Sequence, residues 1–397
     1  ALALSKRYGY LCAKCIEIKR LCSFFKYSVY AQIISVISPI FIPDSVFMVN
    51  HSIRAFFCYF CAYKCKFLYH LCVIIISYKI ISVNTDNYGG IVMLNQKTLN
   101  ADLCVIGGGM AGICAAIAAA RCGAKVVLMH ERPVLGGNAS SEIRMWMCGA
   151  GGENNRETGI VEEIALENYY RNPTKNYYIW DTVLYDFVIR EKNITLLLNC
   201  TCMDAKCERG NFKHGRSTKI LSVKGYQMTT QTFYEVCAEN YADCSGDSIL
   251  APLVGAEFKI GRESADEFDE DTHVKTHDRL TMGNSCLIQG RETDKNIKFT
   301  PPKFSTKLTE ENFKERRPDI YNSYENFWYL ELGGNRDTIA DAEDITRELV
   351  PLATGAWDYI KNSGSFNADK WDLEFLGFLP GKRESRRMTG EYIITER

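Results

Sequence analysis

Leu103-Cys104-Val105-Ile106-Gly107-Gly108-Gly109-Met110-Ala111-Gly112 is the stretch that decides the fold. Four apolar residues run straight into a Gly-x-Gly-x-x-Gly hexapeptide, which opens an Ala-rich helical pattern from Ile113 to Cys122. Strand, glycine turn and helix in that order suit a dinucleotide pyrophosphate. Gly107 makes the tight turn, Gly109 lets backbone approach the phosphates, and Gly112 lets helix and strand pack closely. The positive end of the helix then faces the anion. Gly123 is placed to end the helix in a left-handed cap, and a second apolar strand, Ala124 to Met129, follows. Glu131 falls 19 residues after Gly112, near the offset at which a carboxylate grips a ribose hydroxyl.

Composition sets the outer bounds. With 397 residues the chain is long enough for more than one domain, and a net charge of −1 gives no reason to expect nucleic acid. That average hides an asymmetry. Residues 1–92 carry 10 Lys+Arg against Glu17, Asp44 and Asp86, a net of +7, and hold 7 of the 17 cysteines. The remainder has 37 basic and 45 acidic residues, a net of −8. The early segment is crowded with Tyr, Phe and Ile. Its apolar runs, Ala31 to Val49 and Phe67 to Val83, are interrupted by Pro39, Pro43 and Asp44 and by His70 and Lys79. Neither is the unbroken run a membrane span needs, and no signal peptide is visible. Cys12-x-x-Cys15 and Cys58-x-x-Cys61 fit zinc or an iron–sulfur cluster as one reading. The preferred reading is that 1–92 is a non-native or disordered extension and Met93 the natural start. Residues 93–254 then form a dinucleotide-binding domain and 255–397 an inserted domain.

Beyond Arg132-Pro133 a second glycine cluster appears, Gly136-Gly137-Asn138-Ala139-Ser140-Ser141, and Cys148 to Gly152 repeats the theme. A plain NAD domain has no need of it, whereas an extended cofactor wants bare amides and small hydroxyls along its length. Glu157 to Tyr170 reads as an amphipathic helix with Ile160, Ile164 and Leu166 on its apolar side. Thr182 to Glu191 reads as another helix, and Ile194 to Leu198 as a buried strand. Tyr234 to Ala238 and Tyr241 onward read as a strand pair. They enter the polar turn Asp243-Cys244-Ser245-Gly246-Asp247, the position where open α/β sheets bind ligands.

After Gly255 the pattern loosens, with charges over Glu263 to Asp278, Pro301-Pro302, and aromatic clusters at Tyr321 to Tyr329 and Trp357 to Tyr359. Arg-Glu-(Ser/Thr) recurs at Arg156, Arg262, Arg291 and Arg383, best explained by paired surface charges. Pro380-Gly381-Lys382-Arg383-Glu384-Ser385-Arg386-Arg387 gathers four cations beside a glycine. Guanidiniums there suit a substrate carboxylate or charge developing on a reduced ring, which makes Arg383 and Arg386 the candidate catalytic residues. Cys104, Cys114 and Cys122 lie on expected core elements as small buried hydrophobes. Cys200, Cys202 and Cys207 match no cluster motif, and such cysteine usage suits a reducing cytoplasm.

These residues resemble the FAD-dependent oxidoreductases of the glutathione-reductase-like superfamily, more narrowly the group related to the heterodisulfide reductase A subunit. The resemblance rests on Val105 to Gly112, Glu131-Arg132, Leu135 to Asn138, Asp243 to Asp247, Gly261 to Ser264 and Pro380 to Arg387. It implies a Rossmann-like, doubly wound parallel sheet that binds FAD, with an inserted α+β substrate or cap domain. It also implies that Gly107, Gly109 and Gly112 hold the pyrophosphate and Glu131, with Arg132 beside it, binds the adenosine ribose. Gly136, Gly137, Asn138 and Ser140 then line the route to the flavin, and Ser245, Gly246 and Asp247 close over it. Some relatives carry 4Fe-4S clusters, but no ligand motif for a metal appears after Met93. The activity expected is hydride or electron transfer between bound flavin and a small organic molecule, sugar- or acid-like, with an unidentified electron acceptor and no membrane or nucleic-acid partner. An NAD(P)-binding oxidoreductase and a non-catalytic flavin carrier are the alternatives. In such folds, sequence after the substrate domain returns to complete the flavin site, so the chain reads as a fragment at its end.

Overall fold

A computed structural model describes residues 94–149, 151–210, 218–271, 274–320 and 330–395. The chain divides into two units, Ala1–Val92 and Met93–Arg397, and all described residues belong to the second. The expectations for 1–92, and the aromatic cluster Tyr321 to Tyr329, lie outside the described residues.

The strand–turn–helix–strand unit is present as β1 (Asn95–Ile106), α1 (Met110–Arg121) and β2 (Val126–Met129). Gly123 has φ +94°, the left-handed value that stops α1. The chain continues through α2 (Gly159–Arg171), α3 (Tyr177–Ile189), β3 (Ile194–Leu197), β4 (Cys200–Arg209), β5 (Thr218–Gln227) and β6 (Thr232–Asp243). The strands form one sheet in the order β3-β2-β1-β6-β5-β4. Its first four strands are parallel, and β5 and β4 add an antiparallel extension beside β6. This is the expected α/β architecture with a parallel-dominated sheet.

Both faces of the parallel strands are covered, which is why β1 and β2 end in continuous apolar runs. Alternate residues go to opposite sides. Val105, Val126 and Leu128 meet Ile113 and Ile117 of α1, Ile164 of α2 and Leu184 of α3. Cys104, Ile106, Val127 and Met129 meet Leu197, Cys202, Val223, Val236 and Leu250 on the other side. A one-residue slip of β1 would exchange the two sets, so the register is fixed by packing.

The remaining described chain contains α4 (Leu250–Val254), β7 (Phe258–Lys259), α5 (Ala265–Phe268), β8 (Asn284–Cys286), β9 (Ile288–Glu292) and β10 (Leu330–Leu332). It ends with α6 (Ala342–Asn362), β11 (Trp371–Leu376), β12 (Gly381–Lys382) and β13 (Arg387–Met388). Three small sheets, β10-β8-β12, β11-β9 and β13-β7, accompany α6. Its buried face, Ile345, Leu349, Ala353, Trp357 and Ile360, packs on Cys286 and Ile288 to make a third core.

Several expectations need correction. Tyr234 to Asp243 is one strand, not a pair, because β6 follows β1 without a break from Thr232↔Asn95 to Asp243↔Ile106. The Tyr241 hydroxyl fills the middle, accepting from Ala238 N at 2.8 Å and donating to Leu221 O at 2.9 Å. β3 is an edge strand, so only Leu197 of its four residues is buried. Leu166 is 60% exposed: it stands two residues past buried Ile164, about 200° around the helix. α3 begins at Tyr177 because the Asn176 side chain caps it, accepting from Tyr178 N at 2.8 Å. Cys122 is exposed at the end of α1, unlike buried Cys104. The Arg-Glu-(Ser/Thr) arginines do pair, but each with a carboxylate elsewhere: Arg156–Glu162, Arg262–Asp278, Arg291–Glu374 and Arg383–Glu331.

Candidate cofactor site

The site forms at the C-terminal end of β1, where three stretches far apart in sequence meet. The first is the glycine turn itself. Gly107 has φ +101°, and a Cβ there would lie 2.2 Å from Cys244 O, so only glycine lets the Asp243–Asp247 turn cross it. A Cβ on Gly112 would lie 1.8 Å from Gly107 O, which is the close helix–strand packing expected of the third glycine. Gly109 differs. A Cβ there would meet only Gly137 Cα, at 3.8 Å, so the space beside it is open. α1 begins at that residue with no side-chain cap and no acidic residue in its first turn. The N–H groups of Met110, Ala111 and Gly112 therefore have no carbonyl a turn back and no side chain of the helix's own to take them.

The second glycine loop lies against the first. Gly136 N donates to Gly108 O at 2.8 Å, and Gly109 and Gly136 form an isolated parallel bridge. Sequence reasoning passed over the residue that fixes this pair, His130. Its Nδ1 accepts from Gly108 N at 2.9 Å and its Nε2 lies 2.9 Å from Val134 O. Both ring nitrogens are thus engaged by backbone, Nδ1 also lies 3.6 Å from Glu131 Oε2, and the ring is only 2% exposed. Nothing in the sequence marks His130 except its place directly after β2.

Glu131 follows at the mouth of β2, 3.7 Å from Arg132 Nε. Arg132 also reaches Gly137 O at 3.4 Å and Glu142 Oε2 at 3.5 Å. That Glu142 oxygen is buried without a hydrogen bond among the described residues, and burial raises the carboxyl above its ordinary range despite Arg132. Ser140 is fully buried, and its Oγ accepts from Glu142 N at 3.3 Å. The loop is braced from α3: Trp180 Nε1 donates to Ala139 O at 2.8 Å, and Asp181 accepts from Ser141 N at 3.0 Å.

Just beyond the loop stands Arg144, 4% exposed and with φ +65°. Its guanidinium carbon lies 4.2 Å from the Phe375 ring and 5.0 Å from the Tyr177 ring, and its NH1 donates to Gln289 Oε1 at 2.9 Å. Glu374 is 3.7 Å away, and the Tyr177 hydroxyl donates to Arg144 O at 3.0 Å. Arg144 therefore joins the second glycine loop to α3, β9 and β11.

The third stretch is the Asp243–Asp247 turn with the basic segment docked on it. Asp243 accepts from Ser245 N at 3.0 Å, Ser245 Oγ at 2.6 Å and Leu250 N at 2.8 Å, which shapes the turn. Asp247 forms an ion pair with Lys382 and accepts from Ser385 Oγ at 2.8 Å. Lys382 O in turn accepts from Asn138 Nδ2 at 2.8 Å, so the basic segment touches both the turn and the second glycine loop. The two arginines expected to be catalytic separate. Arg383 is ion-paired with Glu331 at 3.1 Å, while Arg386 Nε donates to Asp247 O at 2.9 Å. Arg387 is paired with Glu263. Among the described residues no group of His, Cys, Asp and Glu is arranged to hold a metal ion, and no helix is long and apolar enough to cross a membrane.

Residues 102–397 match the family model described as FAD dependent oxidoreductase. The chain belongs to that family. FAD is the cofactor of the FAD-dependent oxidoreductases, and the open face of Gly109 against Gly137, beside helix N–H groups with no side-chain cap among the described residues, fits its pyrophosphate. No curated protein matches the chain. Among solved structures, L-proline dehydrogenase from P. horikoshii is 19% identical, over 40% of this chain and 25% of that one, with a TM-score of 0.23. THI4 from Thermovibrio ammonificans is 14% identical, over 53% and 83%, with a TM-score of 0.30. A geranylgeranyl bacteriochlorophyll reductase-like protein from Thermoplasma acidophilum is 14% identical, over 51% and 49%, with a TM-score of 0.31. The matched part spans a quarter of the length of the first of these and about half of the last.

Proposed function

We propose that this chain holds FAD across its two glycine loops and transfers hydride or electrons between the flavin and a small organic molecule, polar and acid- or sugar-like. The observation that carries the reading is the bare backbone of Gly109 and Gly137, facing one another where α1 begins. A Cβ on Gly137 would sit 3.0 Å from Gly109 Cα, so the two loops meet as backbone alone. Bound FAD would supply the redox chemistry, and the chain supplies position and electrostatics.

In this reading the helix N–H groups hold the diphosphate and Glu131 takes the ribose hydroxyls. Asn138 and Ser140 line the path onward, with Ser245 to Asp247 as its far wall. His130 keeps the lip rigid. Of the two arginines, Arg386 suits a role at the substrate better, since Arg383 already has a carboxylate partner. The cysteine usage fits a cytoplasmic protein, and the electron acceptor is a separate partner.

Purification of the full chain tests the reading. Flavin absorbance near one per chain, bleached by members of a panel of hydroxy acids and sugars, is the expected result. A colourless protein that binds NAD tightly would replace it with the NAD(P) alternative. A yellow protein that no panel member reduces would favour the electron carrier.

A further inference from the structure

A cleft of about 800 Å³, with Arg386 in its wall, opens between β7, the 277–279 segment and the turn at Asp337. That volume is within the range of small-molecule sites. Its charged side chains, apart from His277, are Lys259, Arg279 and Arg386 against Glu267 and Asp337, a surplus of one positive charge. Most of these charges already have partners. Lys259 is paired with Glu267, and Asp337 Oδ1 accepts from Ile339 N and Ala340 N at 3.0 Å each. Arg386 gives its Nε to Asp247 O, leaving its two terminal nitrogens without a hydrogen bond among the described residues. Arg279 makes no hydrogen bond or ion pair among them. Both guanidiniums line one cleft and act electrostatically on the Asp337 carboxylate, but neither spends a terminal N–H on a hydrogen bond among the described residues. Phe258, 36% exposed and 5.6 Å from the Arg386 guanidinium, stands with Ile260 and Ile339 as the apolar wall.

We propose that this cleft binds a small organic acid of single negative charge and apolar body, Arg279 and Arg386 taking the carboxylate and Phe258 and Ile339 the body. The match is in charge as well as shape. One carboxylate cancels the surplus, whereas a dianionic phosphate would overshoot it beside Asp337 and Glu267. Planar guanidiniums also pair with a planar carboxylate through two parallel hydrogen bonds. Arg386 joins the cleft to the cofactor turn through Asp247, so the acid would lie next to the flavin-binding region. The inference rests on the reading above, of which it names the substrate class.

The test is calorimetric titration of the full chain with phenylacetate, its neutral amide phenylacetamide, and inorganic phosphate. Phenylacetate should bind roughly tenfold or more tightly than the amide, as charge-assisted pairing implies. Arg279→Gln should abolish that preference, and Arg279→Lys should keep the acid ahead of the amide. Because Arg279 is exposed and makes no hydrogen bond or ion pair among the described residues, neither variant threatens the fold. Equal binding of acid and amide, a preference that survives Arg279→Gln, or phosphate displacing phenylacetate at equal concentration would each overturn the proposal. Flavin absorbance of the same preparations separates the two claims. A yellow protein without the acid preference sinks the cleft alone, and a colourless one that retains it sinks the flavin reading and upholds the cleft.

Discussion

Gly109→Val is the sharpest probe of the cofactor site, because the structure separates its effect on binding from its effect on folding. Gly109 has φ −69° and ψ 179°, extended backbone that valine adopts freely. The new Cβ would meet only Gly137 Cα, at an ordinary 3.8 Å, and the two methyl groups would stand in the open space against α1. Folding stability should therefore change by less than about 1 kcal/mol, loss of a Gly cap being offset by a less flexible unfolded chain. The diphosphate has to use that same space. Crowding of this kind costs about 1–3 kcal/mol, which is about a five- to 150-fold loss of FAD affinity. Gly112→Ala is the contrast. Its Cβ would lie 1.8 Å from Gly107 O, so it should destabilise the fold itself by about 1–3 kcal/mol or more. The assay is flavin-to-protein ratio after gel filtration, FAD titration of the stripped protein, and a thermal melt of each variant. Parent-like FAD affinity in Gly109→Val, with the melt also unchanged, would refute the placement of the cofactor.

Other outcomes follow from the same contacts. His130→Ala leaves the Gly108 N–H buried without an acceptor and should cost about 1–3 kcal/mol in chemical denaturation; an unchanged midpoint would show that the ring does not hold the lip. Asp247→Ala frees Lys382 and Ser385, so trypsin should cut at 382–387 far sooner than in the parent, and equal cleavage rates would contradict the docking. Burial pushes the Cys104 thiol, beside Cys202 and Cys200, and the Cys286 thiol up to about 12 from an ordinary 9. Because the folded values are the higher ones, the stability they contribute is complete below pH 9 and is lost as the pH rises towards 12. Melts across that window should show the decline, and a thiol reagent should modify exposed Cys122 and Cys148 long before either buried group.

What could be read from the sequence was local. β1, the glycine turn, α1 and β2 are neighbours in both chain and space, and each announces itself by apolar period or by a glycine that nothing else replaces. The docking of Pro380–Arg387 on Asp247 joins positions 135 residues apart, and no spacing rule encodes it. α6 was hidden by Pro351 in its middle, although its buried face recurs with helical period on both sides. The carbonyl of that proline finds a use outside the helix, accepting from Thr306 N at 3.0 Å. β4 and β5 carry mixed polar residues because they extend the sheet past its fully covered centre. The hydrogen bonds of His130 and the placing of Arg279 opposite Asp337 depend on which groups stand near them in space, a matter of tertiary packing alone.

Arg144 bears on how such a molecule opens. Its backbone sits in a conformation that costs a non-glycine residue about 1–3 kcal/mol, tolerated because aromatic rings and Gln289 hold the side chain. Were β9 and β11 to move away from the second glycine loop, Arg144 would lose Phe375, Gln289 and Glu374 together, and with them the contacts that hold its strained backbone.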